Sequence, residues 1–530
     1  VEANAMIDVA IVGAGLTGLA LAHSLQAQGR KLSVFEARDR VGGRILTDAS
    51  AGSGARVDLG ASWYWPDTEP RMAALLESLA LKSFGQPDQG HVLSLVDPAR
   101  APDVLDLQGI HGGARRLSGG MGQLAQSLHE RLLEGTVKLG HRLVAVHDAQ
   151  DHVELHFARM DGGVQHVERV TARRVVLTLP PRLLAQSVRF QPALSPSTTH
   201  ALSIVPTWMA REAKAVARFE RPFWHAQGQS GSAFVSHPQA VLREVWDASD
   251  EQGAALAGFC AMGPDTRRPF ERSLPLLASS QFAQLFGPEA HADSVLVKDW
   301  SLDAWTCSDL DRSDPEPMPP QADPVLRRPH WSGRLFFGGT ETARHAAGHM
   351  EGALESAARL ADFLRPAKPT RHGTTRPLEE SLASFELWVT LERQDAVPRY
   401  RQHLNQMLAR QDRDRVTQRA MLATAEQTYT RALEQLAALE LGWGVNRPLT
   451  PTGRSELTPQ VLAPFSGFSK SLVNDALAFN ASSCALSNFD TEHRPDADYL
   501  QAITVDLAAA WREFAWATND LLCSRSGPSP

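Results

Sequence analysis

The sequence predicts an α/β chain of Rossmann type that ends in an all-α bundle, and three observations carry that reading. A β-branched run, Ile7 to Val12, leads directly into Gly13-Ala14-Gly15-Leu16-Thr17-Gly18. A second glycine-rich segment, Gly338-Gly339-Thr340-Glu341 followed by Gly348-His349-Met350-Glu351-Gly352, closes the same region far downstream. Beyond Pro366 the apolar residues recur only at helical spacing, without strand alternation. A chain of 530 residues exceeds what one core organises, so two or three units are expected.

Ile7–Val12 suits a buried parallel strand. Gly13 allows the tight turn, Gly15 lets backbone approach a pyrophosphate, and Gly18 permits close helix–strand packing. Leu19 to Gln28 then reads as a helix whose N-terminal dipole faces the phosphates. Lys31 to Phe35 supplies the second strand. Glu36 ends it eighteen residues after Gly18, where a carboxylate accepts hydrogen bonds from ribose hydroxyls. A lone GxGxxG is weak evidence; strand, helix and acid at these distances make it specific.

The run Glu36-Ala37-Arg38 through Val41-Gly42-Gly43-Arg44 adds a second backbone approach and a guanidinium beside a long dinucleotide. Here the sequence closely resembles the flavin-containing amine oxidases, the monoamine and polyamine oxidase superfamily, in which this segment holds FAD. Asp58-Leu59-Gly60-Ala61-Ser62-Trp63 is similar to the family block that lies along the flavin. Val137 to Val146 is similar to the strand whose backbone meets the adenine, which places Leu143 there. Val175 to Pro181 also fits, and the block Gly339-Thr340-Glu341 with His349 and Met350 matches the segment at the ribityl chain and ring. The resemblance covers residues 6–366, with the blocks in family order.

It implies an FAD-binding domain from 6–80, 118–190 and 292–366. An α+β substrate domain of 81–117 and 191–291 is interleaved with it. Residues 367–377 have a linker composition, and 378–525 are expected to form a helical domain of four or five helices. In that tail Leu378, Leu382, Phe385 and Val389 share one stripe, as do Ala425, Tyr429, Leu433, Leu436 and Leu439. Leu500, Ile503, Leu507, Trp511, Phe514 and Thr518 share another along Tyr499 to Cys523. The first substrate insert is short where monoamine oxidases carry a long helical roof. The bundle is therefore expected either to replace part of that lid or to serve dimerisation or partner binding.

Lys214, in an apolar strand ten residues before Trp224, stands where the family holds a water against the flavin N5; the bland alternative is a solvated surface lysine. Trp300 resembles the tryptophan beside the flavin, and Trp305 is read as core. Counting from Trp300 puts Asp309 where monoamine oxidases carry the flavin-bonding cysteine and Leu310 where they carry an aromatic. Cys307 is two residues out of register, so FAD is expected to be non-covalent. His349 replaces the tyrosine of the family's aromatic cage. It is read as a substrate hydrogen-bonding group or base, against the alternative of a buried histidine satisfied by a backbone carbonyl. His345 is read as a loop residue. The catalytic set expected is Lys214, His349 and Trp300. After Ala61 there is no arginine for an amino-acid carboxylate, which leans toward amines, including secondary or polyamine-like ones.

A net charge of −7 offers no basic excess for a nucleic-acid partner. The four cysteines form no CxxC pair, which argues against a zinc site or a disulfide framework. No apolar run reaches the ~20 residues of a bilayer span. Val1 to Ala5 read as an expression remnant, and a cytoplasmic location is expected. The tail shows no i, i+3 or i, i+4 His/Glu pairing of the di-iron kind. The leading expectation is an FAD-dependent amine oxidoreductase that uses O2 or another acceptor. The alternatives are an FAD-dependent desaturase of C–C or ring C–N bonds and a flavin-stabilised interaction protein.

Overall fold

The computed structural model describes residues 6–48, 56–107, 109–161, 164–314, 320–365, 378–409, 415–439, 455–482, 490–493 and 495–524. The chain divides into two compact units, 1–366 and 367–530.

Strand alternation sets the layers of the first unit. From the strand Ile7–Val12, Val9 and Ile11 join a core with the helices Leu16–Ala27 and Met350–Leu364. Ala10 and Val12 pack into a second core with Phe157, Val170 and Leu184. A strand covered on both faces needs an unbroken apolar run, which this segment has. Burying each branched side chain contributes ~1.5–3 kcal/mol. Five strands run parallel in the order Val137–Lys138, Leu32–Phe35, Ile7–Val12, the C-terminal part of Val164–Leu177, and Leu335–Phe337. The N-terminal part of Val164–Leu177 pairs antiparallel with Val153–Asp161, which pairs in turn with Arg142–Asp148.

The second sheet orders Val295–Asp299, Ala213–Phe219, Ala254–Cys260, Leu242–Asp247, Gln229–Val235, His91–Leu95 and Asp103–Leu105. One boundary read from the sequence is corrected here. Val295–Asp299 falls in the third segment assigned to the FAD domain, yet it pairs with Ala213–Ala217 at the edge of the second sheet. Its apolar residues therefore pack with the substrate domain, and the crossing between sheets follows Asp299.

Alternation along Ala213–Phe219 decides where its lysine goes. Ala213, Ala215 and Ala217 pack with Phe282 of the helix Leu274–Phe286, so small residues let that helix approach. Val216 lies on the opposite face with Val57 and Trp246. Lys214 shares the parity of Val216.

In the second unit the long helices among the described residues are Leu378–Gln394, Ala396–Ala409, Val416–Ala438, Phe468–Ser482 and Ala497–Ser524. Their core contains Phe385, Val389, Ala425, Tyr429, Leu436, Ile503, Leu507 and Phe514. The rings of Tyr429 and Phe514 stack at 4.7 Å. A polar layer crosses this core with its groups paired. Tyr400 donates to Asn480 at 2.7 Å, Asn480 donates to Thr417 at 2.9 Å, and Glu492 accepts from the Thr417 amide at 2.9 Å. Such satisfied networks specify one packing rather than a slippery apolar one. Among the described residues no helix is long and apolar enough to cross a membrane, and no group of three or more His, Cys, Asp or Glu side chains could hold a metal.

Candidate active site

One cavity of about 630 Å³ in the first unit runs from the glycine turn to the second sheet. Its near end is built by the first strand–helix connection. Gly13 has φ +104 and its amide donates to Phe35 O at 2.7 Å, a turn that an L side chain opposes. Gly15 is the N-cap of the helix Leu16–Ala27 and has no side-chain cap, so the helix presents bare amides to an anion. A Cβ on Gly15 would meet nothing within 4 Å. That open cradle beside a bare helix end fits a pyrophosphate. Gly18 works differently: a Cβ there would lie 1.9 Å from Gly13 O.

Glu36 closes the loop from the second strand. Its carboxylate accepts from the Ala14 amide at 2.8 Å and the Arg38 amide at 3.0 Å. Arg38 is held by Asp303 at 2.6 Å and Thr306 at 2.9 Å, which ties this end of the cavity to the segment after Trp300. Leu16, Thr17, Ala37, Gly43, Arg44 and Leu143 line the same end. Gly339, Thr340 and Met350 line it from the last strand and helix.

Two residues read from the sequence as cofactor contacts do not line the cavity. Gly18 sits behind it and acts through packing. Glu341 is buried and lies 2.6 Å from the Arg44 guanidinium, so it braces a lining residue instead of lining the cavity itself. Arg44 also donates to Trp208 O at 3.1 Å, joining the Val41–Arg44 segment to the loop that carries Trp208.

At the far end Lys214 is buried, which removes the reading of a solvated surface lysine. Its Nζ donates to Gly60 O at 2.6 Å, Ser62 Oγ at 2.8 Å and Asp58 O at 3.1 Å. Trp246 and Phe259 present ring faces at 5.3 and 5.4 Å. Burial disfavours the charged amine and brings Lys214 down to about 8, partly opposed by Asp58. The carbonyls of Asp58 and Gly60 thus fix the lysine to the strip that carries Gly60, Ala61, Ser62 and Trp63 along the cavity wall. A Cβ on Gly60 would lie 1.9 Å from Arg44 O, so that strip can pass only with glycine there.

Trp300 is buried and donates from Nε1 to Leu59 O at 3.0 Å. Trp305, expected in the core, is 36% exposed and lines the cavity instead. Leu310, expected opposite His349, is exposed and absent from the lining. The cause is local: Ser308 and Asp311 form a capping box that starts the helix Asp309–Ser313 and turns Leu310 outward.

His349 caps the helix Met350–Leu364, and its side chain is 43% exposed. That removes the reading of a buried, carbonyl-satisfied histidine. Its Nδ1 stands 3.4 Å from Glu69, a buried carboxylate that also accepts from the Trp65 amide at 3.1 Å. The Trp208 ring lies nearly parallel to His349, 17° apart with centroids at 6.5 Å, and Trp65 lies at 6.4 Å. Gly348 makes this possible, since a Cβ there would sit 2.6 Å from the Trp208 ring. Trp65, Glu69 and Trp208 had no motif to announce them. The glycine before His349 was the sequence signal that a large ring packs there.

A Rossmann glycine turn, a carboxylate at the end of the second strand and a buried amine at the far end of one cavity define a dinucleotide-dependent oxidoreductase. The chain belongs to the flavin-containing amine oxidoreductases. That family model matches residues 94–364, just over half of the chain, and a NAD(P)-binding Rossmann-like domain model matches 11–79. The pig flavin-containing amine oxidase B is 25% identical over 67% of this chain and 85% of its own length. A putative flavin-containing monoamine oxidase of Mycobacterium tuberculosis is 26% identical over 67% of this chain and 96% of its own. Among solved structures, a redesigned putrescine oxidase superposes with TM-score 0.55 at 22% identity, covering 68% of this chain and 98% of that one. A cyclohexylamine oxidase from Brevibacterium oxydans gives 0.54 at 20% identity, over 68% and 99%. The protein is an FAD-dependent amine oxidoreductase.

Proposed function

We propose that this protein oxidises an amine at its α-carbon, with Lys214 at the reacting face and a Trp65–Trp208–His349 wall receiving the rest of the substrate. The observation that carries the reading is Lys214, an amine buried against the Gly60–Trp63 strip in a cavity that also holds the nucleotide cradle. FAD held by the Gly13–Thr17 turn, Glu36 and Arg44 would supply a two-electron acceptor for the amine's α-C–H bond; the oxidised amine would be hydrolysed by water, and O2 would take up the two electrons as H2O2. The chain's own residues orient and desolvate. Trp63, Trp300 and Phe259 keep water from the reacting end. Glu69 holds the His349 ring beside Trp208, so an incoming ammonium meets the ring faces that line the cavity with a buried carboxylate behind the imidazole. That combination favours secondary or polyamine-like amines.

Two features support non-covalent FAD. Cys307 lines the cavity, but burial pushes its thiol up to about 11, so no thiolate is available near neutrality. Asp309, at the register of the bonding cysteine, has no thiol with which to form the cysteine's thioether. Trichloroacetic acid should therefore release all of the flavin into the supernatant, and flavin retained in the pellet would refute this part.

Anaerobic mixing with a panel of mono-, di- and secondary amines tests the function. Bleaching of the flavin by at least one amine is expected, and no bleaching by any would leave a desaturase standing. Trp208→Ala should raise KM for the best amine by up to ~30-fold, the equivalent of about 2 kcal/mol for a desolvated cation–π contact, and change kcat less. A chain ending at residue 366 should keep the flavin absorbance of the full chain, because both cores that frame the cradle lie before that point.

A further inference from the structure

The protonated amine of Lys214 has three hydrogens, and the protein takes all three: Gly60 O, Ser62 Oγ and Asp58 O. None is left for a water or ligand. Two of the acceptors are carbonyls, which can only accept. The third is a hydroxyl, which can accept or donate, and Ser62 also lines the cavity. When Lys214 is neutral it has two hydrogens and one lone pair. The two carbonyls keep the hydrogens, and the lone pair needs a donor. Ser62 alone among the three can supply one.

We infer that Ser62 is a positioning residue that turns the ionisation of Lys214 into a change of hydrogen-bonding polarity at the cavity wall. With the amine charged, Ser62 Oγ accepts from Lys214, and its own proton has only a long contact to Gly60 O at 3.4 Å, from which a stronger acceptor in the cavity can draw it. With the amine neutral, that proton points to Nζ and the oxygen lone pairs face the cavity. No proton leaves the Lys214–Ser62 pair except the one lost from the amine on titration. The inference rests on the reading that places the flavin beside this strip.

Several groups bear on the amine. Asp58 and Glu244 favour its charge and Arg116 opposes it. Lys298 faces it across the sheet register, but its own amine is engaged by Asp303 at 3.0 Å. Trp246 and Phe259 are the uncharged neighbours. Because burial brings Lys214 to about 8, the reversal falls in an accessible range.

The test uses the FAD-loaded full chain with 15N-labelled lysine. The chain has only seven lysines, so the Lys214 signal is assignable by its loss in Lys214→Met. Wild type should show one transition near pH 8, both in that signal and in the oxidised flavin absorbance. Ser62→Ala removes an acceptor from the charged amine, a stronger bond than the one lost by the neutral amine. The amine transition should therefore move down by about one pH unit, and the flavin response should shrink. Ser62→Thr keeps the hydroxyl and should restore both. The double variant Lys214→Met/Ser62→Ala should match Lys214→Met in flavin response. A Ser62→Ala protein that titrates like wild type in both readouts would overturn the inference. The amine signal needs no turnover, so failure of the amine panel to bleach the flavin would be a separate result.

Discussion

Lys214→Met is expected to leave FAD bound while slowing reoxidation of the reduced flavin by O2 on the order of 10²-fold, the lower range for loss of one preorganised electrostatic group at a reacting centre. Anaerobic reduction by the best amine should change much less, since the aromatic wall proposed to receive the substrate is untouched. Separate stopped-flow measurements of the two half-reactions check this, and equal rates in both for variant and wild type would remove Lys214 from the reacting face. Methionine is chosen because it fills similar volume between Trp246 and Phe259 without a charge.

The same variant carries a stability signature. The folded-state pKa of Lys214 lies near 8, below the 10.5 of an unperturbed lysine, so burial charges the folded state for holding the proton. Between those values the unfolded chain binds more protons than the folded one, and stability rises with pH. Below about 8 both states are protonated and this contribution is flat at its least favourable. The stability of wild type relative to Lys214→Met should therefore grow from pH 8 toward 10.5. Loss of the donor to Gly60 O and Asp58 O, which both protonation states of Lys214 supply, sets the constant offset between them. Denaturation at stepped pH reads the slope directly.

The parts of this site that were legible in the sequence are those where backbone geometry dictates residue type. Gly13, Gly15 and Gly18 follow from a tight turn and close helix approach, and Glu36 from the length of one helix and strand. Lys214 was legible because an isolated charge in an apolar strand must be buried or wasted. The helical stripes of the tail were legible because their period is long and regular. What sequence hid were contacts made by segments without a required spacing. Trp208 and Glu69 reach His349 from separate loops, and Ser62 reaches Lys214 across two domains' segments. The outward turn of Leu310 depended on a capping box that register counting ignored. Val295–Asp299 was misassigned because one apolar strand pattern suits either sheet.

Gly15→Ala should separate folding from cofactor binding, with an effect as large as any single change in the chain. Gly15 has φ −75 and ψ −178, an extended conformation that alanine adopts freely, and its Cβ would meet no protein atom within 4 Å. The apo-protein should therefore keep its stability to within about 0.5 kcal/mol. The added methyl enters the space at the bare helix end, where a pyrophosphate must approach the backbone, so FAD affinity should fall by at least ~100-fold. Gly18→Ala is the internal control with the opposite pattern. Its Cβ would lie 1.9 Å from Gly13 O, a clash with backbone that cannot rotate away. That variant should lose stability in the apo form as well as flavin. Thermal unfolding of both apo-proteins, with flavin titration monitored by fluorescence quenching, distinguishes the two. If Gly15→Ala binds FAD as wild type does, the cradle is not where the phosphates lie, and the assignment of the cavity's near end would have to be rebuilt from Arg44 outward.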